Sequence, residues 1–173
     1  MTELAFEPHF GITEELSHLE SSHDGKRPFG AFEIAPLESM YDLESMLRRY
    51  PELHIRYSEG PEADSERGSV DTESGLELPG ISVNPLQPER WWFRPVADWL
   101  ARQVCQYRHL QERNPQRFPW VLTGHFVGRG PDCEPLLKNV VPIARLGGGA
   151  ISEAAERYER RFDAGKGPEG RED

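Results

Sequence analysis

Long apolar runs are missing from this chain. No window approaches the ~20 apolar residues of a membrane-spanning helix, and Met1-Thr2-Glu3-Leu4 carries neither the basic residues nor the apolar stretch of an export signal. Cysteine is scarce: Cys105 and Cys133 are the only two, they form no CxxC pattern, and alone they cannot complete a zinc site. Both are expected to stay reduced, which together with the missing signal points to the cytoplasm. A basic excess is also absent. Thirty acidic residues stand against 20 basic ones, a formal charge of −10 that favours solubility and argues against a general affinity for nucleic acid or anionic membrane. The usual strong signatures are missing too: there is no GxxxxGK[ST], no GxGxxG after a strand, no HExxH and no GxSxG.

What is present suits one folded unit. At 173 residues the chain fits a single domain that buries its own core without a disulfide or metal staple. Fifteen prolines and 16 glycines imply many turns. Residues 1–30, rich in Glu, Ser, His, Gly and Pro, read as a flexible N-terminal arm, with a short helix expected near Thr13–Leu19. Residues 31–164 read as the domain and 165–173, charged and without apolar residues, as a disordered tail. The charge is uneven. Residues 52–77 carry eight acids and two bases, whereas 87–145 carry five acids and nine bases. The acidic part either neutralises the basic part within the fold or leaves a basic face for an acidic partner.

Ser39 and Asp42 resemble a capping box, after which Met40, Leu43, Met46, Leu47 and Tyr50 recur at helical spacing and Pro51 ends the run. Leu53–Ser58 alternates as a strand. Glu59–Gly75, polar and acidic, reads as a long surface loop. Ile81–Asn84 is a short strand. Val96, Trp99, Leu100, Val104, Tyr107 and Leu110 share one face of a helix that opens at Pro95 and closes at Asn114-Pro115. Trp120–Val127 and Asn139–Leu146 are strands, joined by a connection that looks too long for a tight hairpin. A last helix carries Ile151, Ala154, Ala155, Tyr158 and Phe162, with Glu153–Arg157 and Glu156–Arg160 as i,i+4 pairs. The expected class is α+β: a single small domain, with a mixed or antiparallel sheet and about three packed helices.

Three groupings can carry chemistry. Arg56, then Ser82, then Glu134 follow the chain order of one class of ADP-ribosyltransferases, in which the Arg grips the phosphates of NAD, the serine strand shapes the nicotinamide pocket and the Glu steadies the developing charge. Tyr57, Ser58 and Asn84 flank this set. There is no Ser-Thr-Ser triplet and no Q/E-x-E pair, and the simpler role of Arg56 is to pair with a carboxylate of the acidic stretch after it. Second, Trp91, Trp92 and Arg94 combine rings and a guanidinium, as protein interfaces and stacking sites do; a core lid uses the same residues. Third, His125, Arg129, Asp132 and Glu134 cluster on and after the best strand. A metal is not expected there, because the spacing with Cys133 matches no zinc pattern. Arg129 is expected to form a surface ion pair with the neighbouring carboxylates.

The stretch Ser74–Leu86 (SGLELPGISVNPL), Trp91-Trp92, Asp98–Gln103 (DWLARQ), Trp120–Gly124 (WVLTG) and Gly128–Asp132 (GRGPD) resembles an actinobacterial family filed as a domain of unknown function, over about residues 35–163. The resemblance implies a bacterial cytosolic setting and no mechanism. The functional expectation is a binding or regulatory module for a protein or a small anionic ligand, with no resident cofactor. The alternatives are an NAD-using ADP-ribosyltransferase-like enzyme and a structural or self-assembling protein. The working surface is expected where the segments of Arg56, Ser82 and the Trp91-Trp92 corner meet.

Overall fold

A computed structural model describes residues 35–162 apart from Pro51. The expected arm, its short helix and the tail lie outside those residues. The described chain forms one small α+β unit, in the order β1 (Pro36–Leu37), α1 (Met40–Arg49), β2 (His54–Ser58), α2 (Pro61–Arg67), β3 (Ile81–Ser82), β4 (Asn84–Pro85), α3 (Val96–Gln106), α4 (Arg108–Arg113), β5 (Phe118–Arg129), β6 (Pro135–Leu146) and α5 (Gly148–Phe162).

The helices follow local chemistry. Ser39 caps α1: its Oγ accepts the N–H of Asp42 at 3.1 Å, and Met40, Leu43 and Leu47 turn inward. Tyr50 falls beyond the helix end and is exposed. The stretch expected as a loop holds α2, where Pro61 occupies the first turn after Gly60 (φ 110°) and the acids Glu62 and Asp64 lie near the N-terminus. The long helix expected from Pro95 breaks at Tyr107 (φ −115°, ψ 17°), whose N–H reaches back to Cys105, and α4 follows as a separate helix that contacts β2. The i,i+4 pairs expected along α5 do not form. Arg157 reaches Asp98 instead, Arg160 donates to the carbonyl of Glu156, and Glu153 accepts the N–H of Met40.

The mixed sheet runs β1-β6-β5-β2-β4, with β3 pairing back onto β6. β5 and β6 form one long antiparallel hairpin from Trp120↔Arg145 to Arg129↔Pro135, broken by three register shifts. The connection is therefore only Gly130–Glu134, because both strands extend further than the apolar pattern suggested. The segment 81–85 divides between two partners: Ile81 pairs with Leu137, while Asn84 pairs with Ile55 on the far edge of the sheet. It ties the two edges together, so the sheet curls on itself.

The curl gives two apolar layers. Outside it, Ile55, Tyr57, Val121, Ala144 and Leu146 pack with Leu43 and Leu47 of α1, Trp99, Leu100 and Val104 of α3, and Ala150 and Ala154 of α5. Inside it, Trp120 and Leu122 pack with Ile81, Val83 and Leu137. Gly80 is required at the seam: a Cβ there would lie 2.8 Å from the Leu137 carbonyl oxygen and 2.9 Å from a Val127 methyl. No helix among the described residues is long and apolar enough to cross a membrane.

Candidate functional site

Alternation along β2 sends Ile55 and Tyr57 to the helices and Arg56 and Ser58 to the inside of the curl, beside Trp120. There Arg56 meets Asp64 of α2. Its Nε and Nη2 donate to the two carboxylate oxygens at 2.7 and 2.9 Å, and Nη1 donates to the Ser82 carbonyl at 2.6 Å. Ser58 Oγ donates to Asp64 at 2.6 Å and accepts the indole N–H of Trp120 at 2.8 Å. Every strong group of this network has a partner. It pins α2 to β2 and β3, and Arg56 takes the structural role of pairing with the acidic stretch that follows it.

Beside this network opens a cavity of about 500 Å³, bounded by α2 and the turn after it, by α4 and by the hairpin connection. Arg56, Ser82 and Glu134 all line it, as do Tyr57, Asn84 and Asp132. Ser82 Oγ donates to Glu134 Oε1 at 3.4 Å, and the Ser82 N–H donates to Ser69 Oγ at 3.0 Å. The other Glu134 oxygen is buried with no hydrogen-bond partner among the described residues. Its carboxylate leans on Gly130, where any Cβ would collide with it. The Tyr57 hydroxyl is not available to a ligand: it donates to the Val104 carbonyl at 2.6 Å, and burial pushes its pKa far up. A smaller recess of about 250 Å³ shares Arg56, Arg67 and Arg117 and reaches Ser58 and Asp64.

The remaining residues singled out from sequence lie elsewhere. His125 is exposed on β5, across from Lys138, and does not line the cavity. Arg129 makes no carboxylate pair among the described residues; its Nη1 donates to the carbonyl of Cys133 at 2.6 Å, in a turn where Cys133 has φ 63°. Among the described residues no group of three or more His, Cys, Asp or Glu is placed to hold a metal ion.

Trp91, Trp92 and Arg94 do not line the cavity either, so the expected single rim resolves into two places. The expectation failed because Trp92 turns to the helices: its ring lies 5.2 Å from Trp99 and 6.2 Å from Phe162, edge-on to the first and stacked on the second. Arg94 covers Phe162 at 4.4 Å and pairs with Asp98 at 3.2 Å.

Several cavity residues carried no signal in the sequence. Arg117, His109 and Tyr107 gather there from the break after α3, from α4, which contacts β2, and from the turn that follows it. Arg117 forms no ion pair among the described residues, whereas Arg67 is paired with Glu59 at 2.9 Å. Burial, and then the carboxylates of Asp132 and Glu134, push the Tyr107 phenol up, so it stays a neutral donor. Hydrogen bonds from Ser74, and then from the Glu73 and Ser74 backbone, hold the Asp71 carboxyl below its usual range; that acid is satisfied within its own turn.

No curated protein and no solved structure matches the chain. A family match covers residues 31–169, the whole of the described unit included, and by that match the chain belongs to a family of unknown function, DUF6098.

Proposed function

We propose that the chain is a binding module that takes a small anionic ligand in the cavity beside Arg56. The observation that carries this reading is Arg117: a guanidinium lining a cavity of about 500 Å³ without a carboxylate partner among the described residues. His109, the Tyr107 phenol and Ser69 Oγ line the same cavity as further donors. Such a volume lies in the range of small-ligand sites, roughly 300–1,000 Å³. Arg56 lines the cavity too, but three of its N–H groups already go to Asp64 and Ser82, so Arg117 takes the leading part in holding the anion.

A thermal-shift screen of inorganic phosphate, nucleoside phosphates, NAD and dicarboxylates tests it. A ligand at 100 times its Kd adds about 2.7 kcal/mol to stability, a shift of several degrees. The shift is expected to disappear in Arg117→Gln. A shift that survives in Arg117→Gln, or no shift with any of these anions, rejects the reading.

The transferase reading keeps one observation in its favour, the presence of Arg56, Ser82 and Glu134 on one cavity. In it the phosphate-gripping role passes from Arg56 to Arg117. It requires NAD to bind and to be hydrolysed or transferred, with the rate lost in Glu134→Gln. Binding of NAD without turnover leaves the binding module alone.

A further inference from the structure

The second site, at the start of α3, is a rigid projection rather than a frayed turn. The Trp92 N–H donates to the Glu89 carbonyl at 2.9 Å, and its indole N–H donates to the Pro95 carbonyl at 3.2 Å. Arg94 is fixed from three sides: over the Phe162 ring, against Asp98, and on the Arg161 carbonyl at 3.1 Å. Asp98, only 2% exposed, also accepts from Arg157 at 2.7 Å and lies 3.9 Å from Arg161. This hub locks the turn to the last helix.

From that base Trp91 is held out 60% exposed and Phe93 95% exposed. Large rings presented on a rigid base are what interface anchors require, because little side-chain and loop freedom is lost on binding. The charge around them is one-sided. Arg94, Arg157 and Arg161 converge on one buried carboxylate, Asp98, and Arg102 lies 5.9 Å over the Trp99 ring. A protein of formal charge −10 has concentrated arginine at its most exposed aromatic corner.

Three kinds of occupant can be weighed on this charge. A second copy docked patch to patch by a two-fold axis would oppose arginine with arginine. A nucleic acid would meet the overall negative charge along its whole contour. An acidic polypeptide segment matches the local arginines and needs only a short contact. We propose that Trp91, Phe93, Arg102 and the arginines at the end of α5 form a docking surface for such a segment, a large apolar side chain flanked by Asp or Glu in another protein. This surface is independent of the cavity reading.

A phage-displayed random peptide library selected on the full chain tests it, with enriched peptides then measured by fluorescence polarisation. The expected result is enrichment of peptides with an aromatic or large aliphatic residue beside acids. Their binding is expected to weaken at least tenfold in Phe93→Ala and in Arg102→Glu and to fall with added salt. Both side chains lie outside the core, and circular dichroism melts are expected to match the unaltered chain. Enrichment of neutral or basic sequences, no enrichment, or equal binding by both variants overturns the proposal. So does tighter Phe93-dependent binding of a single-stranded oligonucleotide, or a dimer in sedimentation that Phe93→Ala abolishes.

Discussion

Replacing Asp64 by alanine separates a structural Arg56 from a ligand-gripping one. The substitution removes the acceptor of three short hydrogen bonds, two from Arg56 and one from Ser58, at a side chain only 6% exposed. It strands a guanidinium that is itself only 17% exposed, with the Ser82 carbonyl as its remaining partner. Removing one side of a buried pair costs about 3–5 kcal/mol, since a charge is left without compensation. The neighbouring cavity admits water to Arg56, which places the expectation at the low end, about 3 kcal/mol. With a urea slope of about 1–3 kcal/mol per molar, the unfolding midpoint falls by roughly 1 M or more. Tryptophan fluorescence reads the transition, because Trp120 is hydrogen-bonded into the same network. The double replacement Arg56→Met with Asp64→Leu removes both charges and is expected to recover most of the loss. A cost below about 1 kcal/mol for Asp64→Ala, or a double variant no better than the single, would refute the structural assignment of Arg56.

Three further outcomes follow from the same geometry. Gly80→Ala drives a methyl into the Leu137 carbonyl, which belongs to the paired strand β6 and cannot yield, and is expected to lower stability by about 1–3 kcal/mol in urea titrations. His54 has its pKa lowered from 6.5 by burial, opposed in part by Glu52, so its neutral form favours the fold. The stability it contributes is complete above about pH 6.5 and is lost as pH falls from there toward its folded value; the drop in urea midpoint between pH 7.5 and 5.5 is therefore expected to be smaller in His54→Leu. Asp98→Ala releases three partly exposed arginines at once and is expected to cost about 1–3 kcal/mol and to quench or redshift the Trp92 contribution to fluorescence as the turn loosens.

Where one side of an element is buried, the sequence announces it. The stripes of α1, α3 and α5 and the apolar run of β5 are readable because each lies against a core layer and carries the matching period. The period is silent about α2, whose face toward β2 holds Asp64 and not a leucine; Gly60-Pro61 was the only local signal for it. Nor does it register a break such as Tyr107, since a helix can change direction while both pieces keep apolar residues inward. The cavity was half legible. Arg56, Ser82, Asn84 and Glu134 stood out as polar residues in or beside strands, and all four line it. Arg117 and His109 did not, for they arrive through that unannounced bend. Trp91 and Trp92 were grouped with the site by composition, but it is their contacts with Trp99 and Phe162 that fix their place.

Whether the cavity beside Arg56 receives an anion through Arg117 is decided by a ¹H–¹⁵N NMR titration of the full chain with inorganic phosphate and with NAD. Saturable shifts are expected to concentrate at Ser69, Val70, His109 and Arg117 and to be absent in Arg117→Gln. Shifts centred on other residues, or none with either probe, would rule out anion binding at this cavity.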